Sequence, residues 1–255
     1  MKNEIQKEQK ETLSTEDIMS IALRDYIRGV RDQTFVCRDD GYKDREPIER
    51  YLRSYSEWTD VERTMLDRVT GRILEIGCNI GEHLRYLQGR GLDAVGIDIS
   101  SGAVKMAAER GVKNVFLMDA RKMTFEDKTF DAVLILYYGF GLGGTLVNQQ
   151  KMLQDIFRIT TDKCTVIGSS IDALQTIDPR HLAYQDYNKE RGKAYGDITQ
   201  VTLRMQHKDK FGDWYDLLFV NPAGLAKLVR DTDWKISEII PEKKGGRAWY
   251  YILRK

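Results

Sequence analysis

The feature that most constrains the fold is an alternation of short β-branched runs with helical patterns, which begins at Arg72. Consecutive runs are separated by segments long enough to cross over a sheet, and parallel strands require such crossovers. The pattern therefore predicts a doubly wound α/β fold with a mostly parallel sheet. In chain order the runs are RILEI, DAVGI, NVFLM, FDAVLIL and CTVIGSS.

Two further strands are predicted near the C-terminus, KISEII from Lys235 and AWYYIL from Ala248. The short segment PEKKGG between them is a turn signal, so these strands should be antiparallel neighbours in a seven-stranded sheet whose last strand is antiparallel. Residues 170–220 break the alternation and are interpreted as a hairpin or insertion with a lid function. Asn221 followed by Pro222 predicts the start of a helix.

The chain is divided on this basis into residues 1–58, a helical N-terminal extension or lid, and residues 59–255, the main domain, with 170–220 as a substrate-side insertion. The charged start MKNEIQKEQKE has no apolar core and predicts a frayed or disordered lead-in rather than a signal peptide. Ser14 or Thr15 is expected to cap the first helix, and Thr59 with Glu62 forms the capping box of another.

Composition narrows the function classes. The formal net charge is +1, so no global field attracts nucleic acid or an anionic membrane. The longest uncharged apolar stretch is shorter than a membrane span and contains four glycines. The three cysteines form no C-x-x-C pair, so neither a disulfide framework nor a metal site is expected, and a cytoplasmic location is predicted.

Residues with ligand-binding character follow the first three strands of the predicted sheet. The first strand leads into ILEIGCNIGEHL, in which Gly77 and Gly81 frame a tight turn into a helix. The second ends at Asp98, twenty-one residues after Gly77, where an acidic residue meets ribose hydroxyls in nucleotide-binding units. The third ends at Asp119 and Ala120. Ligands bind at the carboxyl ends of such strands, so a nucleotide-like ligand is predicted there.

The charged residues near this turn favour some nucleotide-like ligands over others. Glu82 occupies the helix N-terminus where a dinucleotide would place its pyrophosphate, and Glu75 lies close to the turn. Carboxylates there disfavour phosphate, but they suit a ligand that carries ribose, adenine, an ammonium and a sulfonium. S-adenosylmethionine has these groups. A nicotinamide oxidoreductase is left as a distant alternative.

These segments resemble the motifs of the class I S-adenosylmethionine-dependent methyltransferases, in particular those that methylate small molecules. ILEIGCNIG is similar to the first motif, GIDIS to the second, LMDARKM to the third and TFDAVLIL to the fourth, over about residues 59–170. The resemblance implies a Rossmann-like sheet, methyl transfer and S-adenosylmethionine as the cofactor. One departure is Asn79, which replaces the middle glycine of the first motif. Asparagine tolerates a positive φ, so the turn should survive, and Asn79→Gly is expected to keep or improve binding.

The resemblance also implies which residues hold the cofactor. The first motif would surround the methionine part, Asp98 the ribose, and the second and third strand ends the adenine, while the end of the fourth strand would face the methyl group. The implied set is Glu75, Gly77, Cys78, Asn79, Gly81, Asp98, Ile99, Asp119, Ala120, Leu136 and Tyr137.

The acceptor is expected to be a small molecule methylated on oxygen, nitrogen or carbon. The sequence LYYGFG after the fourth strand lacks the proline pair of base and glutamine methyltransferases, and no cysteine follows a proline as in carbon-5 pyrimidine enzymes. His181 is the candidate general base, with Tyr138 and Tyr184 beside the acceptor. The sequence leaves open the acceptor atom, the oligomeric state, and an alternative function as a non-catalytic cofactor-binding or interaction module, for which Asn79 is the hint.

Overall fold

The computed structural model of the chain describes residues 15–230 and 232–255. Seven helices lie in these ranges: α1 Thr15–Ile27, α2 Asp60–Asp67, α3 Glu82–Gly89, α4 Ser101–Glu109, α5 Leu146–Ile159, α6 Pro179–Glu190 and α7 Pro222–Val229. The strands there are β1 Thr34–Arg38, β2 Lys43–Glu46, β3 Arg72–Ile76, β4 Asp93–Asp98, β5 Val115–Leu117, β6 Phe130–Ile135, β7 Thr160–Ile171, β8 Ile198–His207, β9 Lys210–Phe211, β10 Tyr215–Val220, β11 Lys235–Pro241 and β12 Ala248–Arg254.

The main sheet confirms the predicted seven-stranded α/β architecture. Its strand order is β11-β12-β7-β6-β3-β4-β5, with parallel pairing from β7 to β5. The last strand, β12, is antiparallel to both of its neighbours, as predicted. The order reverses at β3, which lies between β4 and β6, so the carboxyl ends of these three strands meet at one edge of the sheet.

A second, antiparallel sheet shows that the described part of the predicted helical extension contains strands β1 and β2 besides helix α1. Its strand order is β10-β8-β1-β2, with β9 paired to β8. Strand β1 pairs with β8 so that Thr34 faces His207 and Arg38 faces Leu203. The N-terminal part and the insertion therefore form one layer. The predicted lead-in and the proposed cap Ser14 lie outside the described residues.

Local capping signals explain where several helices start. The Thr59–Glu62 capping box at α2 is confirmed, and the Asn221 side chain accepts a hydrogen bond from the Gly224 amide at the start of α7. Helix α6 was not predicted, although Asp178 caps it with Pro179 in the first turn. Its buried residues are only Tyr184 and Asn188, so it carries no apolar stripe that would reveal it.

The two sheets are joined where β10 packs against the main sheet. The Val220 amide donates to Ser170 Oγ of β7 at 2.9 Å, and the Tyr251 hydroxyl of β12 donates to the Val220 carbonyl. A short turn after β6 also touches β10, and there a Cβ on Gly141 would lie 1.9 Å from the Leu218 carbonyl oxygen. Glycine is therefore needed at position 141 for the two layers to meet.

No helix within the described part of the chain is both long and apolar enough to cross a membrane.

We expect Gly141→Ala to lower the free energy of unfolding by about 1–3 kcal/mol, because the added methyl group overpacks the contact between the sheets. Urea denaturation measures the change. Gly89→Ala is the matched control, since a Cβ there meets nothing within 4 Å and the residue is helical. Equal stability of the Gly141→Ala variant and the unmodified protein would contradict this packing account.

Candidate functional site

A cavity of about 640 Å³ opens at the carboxyl ends of β3, β4 and β6. All eleven residues that the resemblance assigned to the cofactor line this cavity. They are Glu75, Gly77, Cys78, Asn79, Gly81, Asp98, Ile99, Asp119, Ala120, Leu136 and Tyr137. Motifs up to 62 residues apart in the chain therefore share one surface, as the topology of an open parallel sheet requires.

The turn after β3 has the tight geometry that its glycines predict. The amides of Gly77 and Cys78 both donate to the Ile97 carbonyl of β4, at 2.8 and 3.1 Å. Gly81 has a φ of 76°, and a Cβ there would lie 2.8 Å from Val112. Asn79 has a φ of 49°, which confirms the expected left-handed conformation. The turn therefore survives the loss of the middle glycine.

Asp98 connects the first and second motifs. Its Oδ2 accepts a hydrogen bond from the Asn79 amide at 2.8 Å, and its Oδ1 accepts one from the Ser100 amide at 2.9 Å. The two bonds fix the carboxylate at the cavity wall. An ionised carboxylate is an acceptor with about four lone-pair sites, which is the chemistry that a pair of ligand hydroxyls requires.

The charge argument from Glu82 needs correction. Its carboxylate forms ion pairs with Arg110 and with Arg85, the latter at 3.1 Å. The negative charge is therefore compensated, and repulsion of phosphate by this residue is weaker than its position in the sequence indicates. Asp119 is similarly paired with Arg121 at 2.8 Å, and hydrogen bonds from Arg121 lower the pKa of Asp119.

Two buried acceptor atoms in the lining have no hydrogen-bond partner among the described residues. They are Glu75 Oε2 and Asn79 Oδ1. An unsatisfied acceptor costs free energy when buried, so each is suited to a ligand donor or a water. A carboxylate oxygen together with an amide oxygen favours a cationic donor such as an ammonium group.

Behind this wall lies a buried ionic cluster that sequence reasoning missed. His83 Nδ1 lies 2.6 Å from Glu75 Oε1, and His83 Nε2 lies 3.1 Å from Glu62 Oε1. Burial alone would lower the pKa of His83, but the charge of Glu75 and hydrogen bonds to both carboxylates raise it to about 9. His83 is therefore a buried imidazolium at neutral pH. The only sequence signals were Glu62 in the capping box and Glu75 in the first motif.

The His83 ring packs against Tyr137, the residue that follows the end of the fourth motif. The two rings are stacked, with centroids 5.3 Å apart and planes 11° apart. Tyr137 has a φ of 50° and Tyr138 a φ of 65°, conformations that aromatic residues rarely adopt. The Tyr138 amide donates to Ser169 Oγ at 2.9 Å, which helps to hold this strained pair.

A second cavity, of about 490 Å³, lies between the main sheet and the small sheet. Tyr138, His181 and Tyr184 all line it, so the three residues assigned to the acceptor do share one chamber. The apolar inner face of the small sheet forms much of the wall, through Val36, Val201, Leu203, Met205, Leu217 and Phe219.

The environment of His181 does not favour the role of general base. Arg38 Nη1 lies 2.9 Å from His181 Nδ1, and a guanidinium can only donate, so Nδ1 must carry the lone pair. In the neutral ring Nε2 then holds the proton. Burial and the charge of Arg38 lower the pKa of His181. The geometry makes neutral His181 a hydrogen-bond donor at Nε2.

Tyr184 is held firmly by the protein. Its hydroxyl donates to Asp39 Oδ1 at 2.7 Å and accepts from the Thr202 amide at 3.1 Å. The Arg38 guanidinium lies 4.0 Å from the centre of its ring. These contacts join α6 to β1 and β8. Tyr184 therefore stabilises the packing of these elements as well as lining the second cavity.

The family model that matches the chain describes a methyltransferase domain and covers residues 74–167. An uncharacterised protein of Methanocaldococcus jannaschii, MJ1252, is 32% identical over 92 residues, which cover 35% of this chain and 33% of its own length. The putative methyltransferase YqeM of Bacillus subtilis is 29% identical over 110 residues, which cover 41% of this chain and 44% of its own length. The chain thus spans less than half of either relative.

Similarity to a solved structure extends over nearly the whole chain. A methyltransferase from Bacteroides fragilis, solved in complex with S-adenosyl-L-homocysteine, is 27% identical with a TM-score of 0.78. The match covers 94% of this chain and 95% of that one, so it includes the small sheet as well as the main sheet.

We expect the free energy of unfolding to fall as pH rises from about 6.5 to 9 through the titration of His83. A group whose pKa is raised by folding stabilises the protein fully below its unfolded pKa, about 6.5, and this contribution is lost through its folded pKa of about 9. NMR of the imidazole signals in the native protein should show one of the three histidines titrating near pH 9.

The variant His83→Gln should lose about 3–5 kcal/mol of unfolding free energy, because buried Glu75 loses its cation and Glu62 keeps only Arg53 at 3.5 Å. It should also lose the decline in stability over this pH range. His181→Gln is the control, since that imidazole has a lowered pKa. Titration of all three imidazoles below pH 7 would contradict the buried-cation assignment.

Proposed function

Because the chain belongs to the class I S-adenosylmethionine-dependent methyltransferases, we propose that it transfers the methyl group of S-adenosylmethionine to an oxygen, nitrogen or carbon atom of a small molecule in the second cavity. The observation that carries this proposal is that the two cavities share part of their walls. The residues that line both are Tyr51, Asn79, Asp98, Tyr137, Gly139, Leu142 and Tyr215.

The shared wall supports a direct transfer from one cavity to the other. S-adenosylmethionine supplies an electrophilic methyl group on a positively charged sulfur. The protein then has to hold the nucleophile in line with that group and keep water away, which is the larger part of the rate enhancement in such a reaction. Tyr137 occupies the boundary, and its stacked contact with buried His83 fixes it there.

We assign the cofactor contacts by the groups each side chain presents. Asp98, fixed by two backbone amides, would accept hydrogen bonds from the ribose hydroxyls. Glu75 Oε2 and Asn79 Oδ1, the two unpartnered acceptors, would bind the ammonium of the methionine part. Ile99 and Ala120 would contact the adenine, and His181 would donate a hydrogen bond to the acceptor rather than take its proton.

The alternative of a non-catalytic module rested on Asn79. Asn79 adopts the left-handed turn, and a second cavity adjoins the first. The replacement of glycine by Asn79 therefore no longer favours a non-catalytic module. A nicotinamide dinucleotide is less strongly opposed than the sequence suggested, because Glu82 is paired. Direct binding measurements therefore have to include it.

Replacing Asp98 by alanine should weaken S-adenosylhomocysteine binding by about 1.5–3 kcal/mol, roughly 10- to 150-fold, through the loss of hydrogen bonds to a charged acceptor. Isothermal titration calorimetry gives the affinities, with NADH as the competing ligand. Asp93→Ala is the matched control, because Asp93 starts the same strand and pairs with Arg72 far from the cavity. Unchanged affinity in Asp98→Ala would overturn the ribose assignment, and tighter binding of NADH than of S-adenosylhomocysteine would contradict the choice of ligand.

The structure changes the expectation for Asn79→Gly. Glycine relieves the left-handed φ but also gains freedom in the unfolded chain, so the free energy of unfolding should change by less than about 1 kcal/mol. Loss of Oδ1 should nevertheless weaken S-adenosylhomocysteine binding by about fivefold or more, the value of one hydrogen bond. Adenosine, which lacks the ammonium, should bind both proteins equally. Equal or tighter binding of S-adenosylhomocysteine by Asn79→Gly would contradict a role for Oδ1 and would support the expectation that only the backbone conformation at position 79 matters.

Methyl transfer itself is tested with S-adenosylmethionine that carries a ¹³C-methyl group and a small-molecule cell extract. The proposal predicts labelled methyl products that depend on the protein and that fall in the Asp98→Ala variant at limiting cofactor. Binding of S-adenosylhomocysteine without any labelled product would favour the non-catalytic module.

A further inference from the structure

We propose that the acceptor is a neutral hydroxyl compound of the phenol or enol class, and that Glu46 is the general base that removes its proton. The inference rests on the proposed function and assigns the substrate class of the same site. It is carried by two side chains in the wall of the second cavity, Glu46 and Arg50, neither of which the sequence motifs single out.

Glu46 is a buried carboxylate in the wall of the second cavity, in contact with Tyr51. It is only 8% exposed and lines the second cavity. Its Oε1 lies 2.8 Å from Arg50 Nη2 and accepts a hydrogen bond from the Tyr51 hydroxyl at 3.1 Å. Within the described residues these contacts all use Oε1, so Oε2 is the oxygen available to a ligand. Tyr51 lines both cavities, which places this cluster beside the route of the methyl group.

Arg50 contributes a donor that has no partner. Its Nε is buried and makes no hydrogen bond within the described part of the protein, although Nη2 binds both Glu46 and Tyr51. A buried donor of this kind costs free energy until a ligand or water accepts from it. Two residues of the cavity wall thus carry an unpartnered buried donor and a carboxylate, and one ion pair joins them.

A hydroxyl group satisfies both atoms at once. Its oxygen accepts from Arg50 Nε, and its proton is donated to Glu46. An ammonium acceptor has no lone pair for Arg50, and it would add a cation beside the guanidinium and the sulfonium. A carbon nucleophile would satisfy neither atom. The donor–acceptor pair therefore favours a hydroxyl over an ammonium group or a carbon nucleophile.

The strength of Glu46 as a base limits which hydroxyl groups it can deprotonate. Burial raises the pKa of Glu46, while the charge of Arg50 opposes this shift. A carboxylate of this kind is far too weak to deprotonate an aliphatic alcohol, but it is better matched to a phenol or an enol. The apolar face of the small sheet, which includes Leu217 and Phe219, suits the ring or unsaturated chain that carries such a group.

The proposed step is a displacement at the methyl carbon. A bond forms between the acceptor oxygen and the methyl carbon as the carbon–sulfur bond breaks. The electron pair of that bond stays on sulfur, which becomes a neutral thioether. The hydroxyl proton moves to Glu46 Oε2, and Arg50 stabilises the negative charge that develops on oxygen.

The first test identifies the atom that receives the methyl group. The ¹³C-labelled products from the cell extract are examined by NMR, in which O-methyl, N-methyl and C-methyl carbons resonate in separate ranges. O-methylation of an aryl or enol oxygen supports the inference. N- or C-methyl products overturn it while leaving methyl transfer intact, whereas the absence of any labelled product counts against the proposed function itself.

The second test compares Glu46→Gln with Glu49→Gln in single turnover at saturating cofactor, with phenol, 4-chlorophenol and 4-nitrophenol as probes. Glu49 is the matched control because it lies three residues after Glu46 in the chain, is 44% exposed and pairs with Arg45 outside the cluster. Glu46→Gln should slow phenol and 4-chlorophenol by about a hundredfold or more, the contribution of a general base. At pH 9 the already ionised 4-nitrophenol needs no base and should change by less than about threefold.

This contrast separates a base from a merely structural residue. A structural role would slow all three probes alike, and the folded state of the variant is checked by its affinity for S-adenosylhomocysteine. Equal slowing of all probes, equal rates in Glu46→Gln and the unmodified protein, or no methylation of any phenol would overturn the assignment of Glu46 and the acceptor class.

Discussion

The site depends on one buried cation. His83 lies between Glu62 of α2 and Glu75 of β3, and it stacks on Tyr137 at the end of β6. Buried carboxylates are costly without a cation, and Arg53, at 3.5 Å from Glu62, is the other cation of this cluster. Because the three charges come from three different elements, satisfying them fixes helix α2 against the central strand and fixes the tyrosine at the boundary between the cavities.

The second requirement is that two sheets meet without closing the space between them. The main sheet supplies the strand ends that line the proposed cofactor cavity, and the small sheet supplies an apolar face opposite. They touch at Gly141, where no side chain intervenes, and at the hydrogen bond between Val220 and Ser170. The proposed acceptor cavity lies beside that contact, and Glu46 and Arg50 contribute polar side chains to its wall.

The sequence predicts those parts of this arrangement that are encoded by patterns within a short stretch of the chain. Strand alternation was sufficient for the main sheet, and the eleven residues that the strand-end motifs assigned to the cofactor all line the cavity at the ends of β3, β4 and β6. By contrast, β2 has the sequence KDRE, and its partner β1 pairs with β8 more than 160 residues away, so no local pattern reveals the small sheet. The His83 cluster and the Glu46–Arg50 pair were missed for the same reason, since each is defined by contacts between elements. His181 was chosen for its usual pKa, and only its contact with Arg38 shows why neutral His181 carries its proton on Nε2.

The most direct test of the account is a crystal structure of the protein with S-adenosylhomocysteine. We predict that the ribose hydroxyls lie on Asp98, that the ammonium lies on Glu75 Oε2 and Asn79 Oδ1, and that the sulfur lies against Tyr137 and faces the 490 Å³ cavity. A sulfur that is separated from that cavity by protein, or a ligand bound outside the cavity at the ends of β3, β4 and β6, would contradict the proposal that the two chambers form one methyl-transfer site.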